Sequence, residues 1–150
     1  MIRGSAKWCL AAVVLAGCVD HPVGPARSYE SFAAKASTTA ASALSAVETV
    51  RLLATAAAEG RTFGPYTSVA VSEQEDALSG VQGTFESIQP PDDRSVELRD
   101  ELSTVLSRAV GNVADVRIEV RRGNLAGLDV VAAPLAADAD DLRSIVAELS

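Results

Sequence analysis

Apolar side chains recur at intervals of three and four residues through most of this chain, which is the pattern of amphipathic helices. The first helix is predicted over about residues 28–59, with Ser28 as its N-cap and Gly60 just past its C-terminus. The many alanines on its apolar face predict a close approach of neighbouring helices. The predicted buried stripe consists of Tyr29, Phe32, Ala36, Ala40, Ala43, Val47, Val50, Ala54 and Ala57.

A second helix is predicted to end at Gln89, because the following Pro90 disfavours helical geometry at that residue. Two starts are compatible with the sequence: a capping box formed by Ser72 and Glu75, or a first turn that contains Pro65. The predicted buried stripe consists of Val71, Gln74, Leu78, Val81, Phe85 and Ile88.

The loop at residues 62–66, before the second helix, contains two aromatic side chains, Phe63 and Tyr66. We expect them to plug the open end of a helical bundle. The alternative is that they form an exposed aromatic contact point.

A third helix follows a capping turn at residues 91–93 and is predicted to end at Arg121-Arg122-Gly123. Cations in the last turn compensate the helix dipole, and glycine suits the left-handed position that follows. The predicted buried stripe consists of Leu98, Leu102, Val105, Ala109, Val113, Val116 and Val120.

Asn124 is predicted to cap a fourth helix, which Pro134 kinks near Val130 by removing a backbone hydrogen bond. Its predicted buried stripe consists of Leu125, Leu128, Ala132, Leu135, Ala139, Leu142, Val146 and Leu149. Four helical segments with short connections predict an all-α fold over residues 28–150, an antiparallel up-down-up-down four-helix bundle.

The N-terminal residues have a different pattern, with Arg3 and Lys7 followed by an uncharged run that ends in Leu15-Ala16-Gly17-Cys18. A basic segment, a short apolar segment and small residues form the layout of a secretory signal. The apolar run is too short to cross a bilayer, which takes about 20 residues. The last four residues resemble the lipobox of bacterial prolipoproteins.

This resemblance implies that Cys18 receives a diacylglyceryl group, that the chain is cleaved between Gly17 and Cys18, and that the new N-terminus is a candidate for acylation. Residues 1–17 are then a signal peptide and residues 18–27 a lipidated tether. The protein is expected on the extracytoplasmic face of the cell membrane. In a two-membrane bacterium the outer membrane is the alternative, since Val19 replaces the aspartate that marks inner-membrane retention. A plain secreted protein with an incidental cysteine is the other interpretation.

Loss of Arg3 and Lys7 with the signal changes the formal net charge from −7 to −9, which argues against nucleic acid as a partner. The remaining chain has a single histidine, His21, which lies in the tether. The predicted bundle therefore has no histidine for a nucleophilic triad, a haem or a di-iron site. We expect no metal, no cofactor apart from the covalent lipid, and no enzymatic activity.

Three charged groups are candidate sites. The acidic groups Glu73-Glu75-Asp76 and Asp138-Asp140-Asp141 lack the spacing of a calcium loop and are interpreted as solvated helix faces. Arg117, Arg121 and Arg122 form one basic patch. It is either a candidate contact for phosphate groups of lipid or wall polymer, or compensation of the helix dipole.

Two functions are compatible with these observations. The first is a membrane-anchored structural or interaction module that binds another protein of the cell envelope. The second is a lipoprotein that holds a small apolar molecule between its helices, with the Pro134 kink as the opening. A pocket of roughly 300 Å³ or more beside Pro134 would favour the second function, and a filled core the first.

Overall fold

Helices account for all regular secondary structure in the part of the chain that the computed structural model describes, residues 25–150. The predicted all-α class is confirmed for this part. The predicted lipobox and most of the predicted tether lie outside the described residues. The helices are α1 (Tyr29–Ala58), α2 (Gly64–Glu86), α3 (Asp93–Arg121), α4 (Leu128–Val131) and α5 (Leu135–Glu148), with a 3₁₀ turn at Leu125–Gly127.

The N-terminal ends of α1 and α3 are closed by side-chain caps. Ser28 accepts a hydrogen bond from the Ser31 N–H at 3.3 Å, and the Ser31 hydroxyl accepts one from the Ser28 N–H in return. Asp92 accepts from the Ser95 N–H at 2.8 Å. Both helices therefore begin where a side chain satisfies a free backbone donor.

The C-terminal ends of the same two helices are closed by glycine in the left-handed conformation. Gly60 has φ 70° and Gly123 has φ 76°, as predicted for residues just past a helix. After Gly123 the Asn124 N–H donates to the Glu119 carbonyl at 3.0 Å, and the Asn124 side chain donates to the Glu119 carboxylate. Asn124 occupies the N-cap position of the 3₁₀ turn that follows, as predicted, but its side chain makes no capping hydrogen bond there and closes α3 instead.

The second helix begins near the earlier of its two predicted starts, with Gly64 as its first residue and Pro65 in its first turn. Ser72 and Glu75 lie well inside the helix and do not form its N-terminus. The helix ends at Glu86, before the predicted limit at Gln89.

The fourth predicted helix is interrupted rather than kinked. It consists of the 3₁₀ turn, the one-turn α4 and then α5, with the break at residues 132–134. Pro134 has no N–H, and the Leu135 N–H donates to the Ala132 carbonyl in a tighter, i to i+3 bond. One proline thus divides a continuous apolar stripe between two helices.

The interior is built around α1, which contacts every other helical element. Phe32 of α1 packs on Phe85 of α2 with ring centroids 5.6 Å apart. The predicted stripes of α1 and α3 lie in this core, and Leu135 is fully buried as predicted. Ala26, assigned to the tether, is buried against the core as well, so packing begins two residues before Ser28.

Candidate interaction site

The predicted lipidation site, Gly17 and Cys18, lies outside the described residues. The described chain begins at Pro25 and enters the fold beside the N-terminus of α1. The predicted tether would therefore join the domain at the end of α1 that carries Ser28. The opposite end of α1, at Ala58, is one helix length away, about 45 Å at 1.5 Å per residue.

The predicted basic patch is divided among different partners. Arg117 forms an ion pair with Glu75 of α2, and both side chains are largely buried. Arg122 pairs with Glu119 at 2.6 Å. The pKa of Glu119 is lowered by hydrogen bonds from Asn124 and Arg122. Arg121 is exposed and has no ion-pair or hydrogen-bond partner among residues 25–150, so it alone is available as an anion contact.

The acidic group of α5 is not a solvated face, and that prediction is wrong for Asp138. Its side chain is fully buried between α3 and α5. It accepts hydrogen bonds from Arg108 Nε at 2.5 Å and from Asn112 Nδ2 at 2.6 Å. A second Arg108 nitrogen donates to Asp141 at 2.5 Å.

The polar groups of Arg108, Asn112, Asp138 and Asp141 form hydrogen bonds with one another. Hydrogen bonds to the two carboxylates raise the pKa of Arg108, which therefore keeps its charge. Within residues 25–150 no buried side-chain nitrogen or oxygen lacks a hydrogen-bond partner. The Arg108 network therefore joins α3 to α5, and it leaves no free polar group for a ligand.

The aromatic residues of the first loop are exposed, so the prediction that they plug the bundle is wrong. Phe63 is 67% exposed, Tyr66 52% and the nearby Val69 60%, and the two rings lie 6.0 Å apart. Other residues fill this end of the fold. Thr67 is buried, and the partly buried Leu125 lies against Gly64.

A shallow depression lies beside Pro134, where the ligand hypothesis places an opening. Its volume is about 110 Å³. Its lining consists of Arg51, Thr55, Asp129, Ala132, Ala133 and Ala136. This volume is well below the roughly 300 Å³ that ligand pockets require.

None of the helices between Tyr29 and Glu148 combines the length and the apolar character needed to cross a bilayer. The same part of the chain contains no group of three or more histidine, cysteine, aspartate or glutamate side chains placed to hold a metal ion.

Comparison of the chain with protein-family models, with curated proteins and with solved structures finds no match. The chemistry of its own residues is therefore the basis for the functional argument. Three of the exposed large apolar residues, Phe63, Tyr66 and Val69, are close together in the sequence, just after the C-terminal end of α1.

Proposed function

We propose that this protein is a membrane-anchored extracytoplasmic lipoprotein that acts as a structural or interaction module of the bacterial cell envelope. The observation that carries the proposal is the exposed aromatic pair, Phe63 and Tyr66, one helix length from the tether. Lipid on Cys18 holds one end of the domain at the membrane, and the other end presents apolar side chains to a partner. The role is non-enzymatic.

The proposed architecture is an antiparallel up-down-up-down four-helix bundle, in which α4 and α5 together form the fourth segment. The connections at residues 59–63, 87–92 and 122–124 are short, which favours antiparallel neighbours. The pairs α1 and α2, α2 and α3, α3 and α5, and α1 and α5 are in contact, as this topology requires, and α1 also contacts α3.

An interaction role fits the interior better than a ligand-binding role. The depression at Pro134 is smaller than an ordinary ligand pocket, and large side chains such as Phe32, Phe85 and Leu142 are fully buried. Exposed large apolar groups, in contrast, are typical of surfaces that bind another protein.

The lipid anchor is tested by the variant Cys18→Ser. Two acyl chains contribute about 0.8 kcal/mol per buried methylene, so wild-type protein should fractionate entirely with membranes. Its intact mass should include the diacylglyceryl increment. The variant should lack that increment and lipoprotein-type cleavage, while its circular dichroism spectrum stays helical.

A matched control is Ser28→Ala, which changes a nearby hydroxyl but leaves the predicted lipobox intact. It should fractionate with membranes like the wild type. Soluble wild-type protein, or a wild-type mass without the lipid, would contradict the proposal.

A further inference from the structure

The side of α2 that faces away from the core has an unusual composition. At 100° per residue, one outward stripe contains eight positions that are all exposed. We define this stripe as the α2 outer face; its members are Tyr66, Val69, Glu73, Asp76, Ala77, Gly80, Gly83 and Thr84. Large apolar side chains lie at its N-terminal end, carboxylates in its middle and small residues at its C-terminal end.

The two glycines of the α2 outer face are not required by the fold of the chain itself. A Cβ atom built on Gly80 or Gly83 meets nothing within 4 Å. Each glycine destabilises an exposed helix relative to alanine. Their absence of side chains allows a second helix to approach the backbone closely, at an axial distance near 8 Å.

The carboxylates in the middle of this face have no cation to pair with. Glu75 forms an ion pair with Arg117, but Glu73 and Asp76 have no ion-pair or hydrogen-bond partner among residues 25–150. No lysine or arginine occurs in α2. An occupant of this face must therefore bring positive charge to its centre.

We propose that the α2 outer face binds a cationic amphipathic helix of another envelope protein. The apolar residues of the partner helix pack against Tyr66 and Val69 and over Gly80 and Gly83. The lysine or arginine side chains of the partner helix pair with Glu73 and Asp76. This inference rests on the proposed function, because it supplies the chemistry of the partner that the anchored module binds.

Charge argues against a second copy of this chain as the occupant. The carboxylates lie at the midpoint of α2, since residue 75 is halfway between Gly64 and Glu86. Two α2 helices in full overlap would therefore place Glu73 and Asp76 against the same residues of the other copy, whether parallel or antiparallel. Like charges in contact are unfavourable for association.

Charge also argues against the bilayer as the occupant. Helices that lie in a membrane interface are rich in lysine and arginine on their polar face, and α2 has neither. Its carboxylates would meet anionic headgroups. The α2 outer face is therefore better suited to a cationic protein surface than to lipid.

The test uses a photo-crosslinking amino acid in the full-length protein, expressed in cells of the source organism. It is placed at Tyr66 or at Thr84, and at the exposed Thr104 of α3 as a control site. We expect adducts to one protein species from the first two sites and not from Thr104. The double variant Glu73→Lys, Asp76→Lys should reduce the adduct at least fivefold.

The matched control for charge is Glu97→Lys, Glu101→Lys, which reverses two exposed carboxylates of α3 and should leave the adduct unchanged. Gly80→Leu tests the close approach: it should reduce the adduct at least fivefold while Tm stays equal or rises, because leucine favours the helix and a Cβ at this exposed position meets no atom within 4 Å.

An adduct of twice the protein's mass, an adduct to lipid, or no adduct would overturn the inference. An equal reduction of the adduct in the Glu97→Lys, Glu101→Lys control would also overturn it. Intact mass and membrane fractionation on the same cells distinguish failure of this inference from failure of the proposed lipid anchor. An α2 outer face without a partner leaves both measurements unchanged, whereas loss of the anchor changes both.

Discussion

The protein contains two groups of three carboxylates with very different surroundings. On α5, Asp138 is buried against Arg108 and Asn112, Asp141 shares Arg108, and Asp140 pairs with Arg143. On α2, Glu75 pairs with Arg117, while Glu73 and Asp76 remain unpaired and exposed.

The neighbouring helices account for this difference. The guanidinium of Arg108 on α3 donates hydrogen bonds to both the buried Asp138 and the exposed Asp141 of α5, which are three residues apart. On the α2 group, only Glu75 pairs with an arginine of α3, and the other two carboxylates are exposed. The α5 group is therefore a structural element, and the α2 group is a candidate for recognition.

The largest effect is expected from Leu135→Ala, which tests the register that buries Asp138. Leu135 is fully buried and lies one turn before Asp138, on the same side of α5. Loss of its side chain should cost about 2–5 kcal/mol of unfolding free energy, measured by urea denaturation. The exposed Val130, changed to alanine, is the control. A cost below about 1 kcal/mol would mean that the register of α5 is wrong.

The next largest effect is expected from Arg108→Ala. This change leaves the Asp138 charge buried with Asn112 as its remaining partner, and it should cost about 2–3 kcal/mol. The figure lies below that for a fully buried pair because Arg108 is 45% exposed.

The reverse change, Asp138→Ala, should cost less, about 1–2 kcal/mol, because Arg108 keeps Asp141 and water. Asp140→Ala serves as the control for helix α5. Equal costs for the Arg108 and Asp138 variants, in urea denaturation, would contradict the assignment of the buried charge.

A carboxylate outside both groups provides a pH test. Hydrogen bonds from Ser95 lower the pKa of Asp92 below its ordinary value, so the folded state is favoured by its ionised form. This stabilisation is present above the unfolded pKa, about 3.9, and is lost as the pH falls through the lower folded value.

Asp92→Ala should therefore lower the urea midpoint at pH 7, and its difference from the wild type should shrink as the pH falls below about 3.9. Asp92→Asn, which keeps an acceptor for the cap, should retain more of the stability. A difference that does not depend on pH would mean that the cap does not involve ionisation.

The smallest effect on stability is expected from Glu73→Ala. The side chain is exposed and unpaired, so the change should stay within about 0.5 kcal/mol of the wild type. Urea denaturation of the Glu73→Ala and Asp138→Ala variants compares the losses of unfolding free energy at the two carboxylates directly. A large loss would show that the α2 group has a structural partner.

The helical stripes could be predicted because burial in this fold follows the 3–4 spacing of apolar residues. Leu102, Val113 and Val116 are buried where the spacing places them. The cap at Ser28, a capping turn at residues 91–93 and the glycines after α1 and α3 were also predictable, since each satisfies a backbone requirement at a known position.

Features that depend on contacts between helices could not be predicted in the same way. The burial of Asp138 depends on Arg108, which lies 30 residues earlier on α3. The exposure of Phe63 depends on Leu125 and Thr67 filling the end of the fold. The sequence contained one signal for the α5 network. Arg108 and Asn112 are four residues apart, so they share one face of α3. Asp138 lies on the apolar stripe of α5, between Leu135 and Leu142.

The alanine-rich face of α1 has a consequence for how this gene can vary. Seven of the ten buried residues of α1 are alanine, and α1 contacts every other helical element. Single-nucleotide changes in an alanine codon give valine, threonine, serine, glycine, proline, aspartate or glutamate. These replacements enlarge the side chain, bury a polar group or disfavour the helix. In a saturation mutagenesis screen for folded protein, positions such as Ala36, Ala40 and Ala43 should tolerate fewer replacements than the large exposed residues of α2.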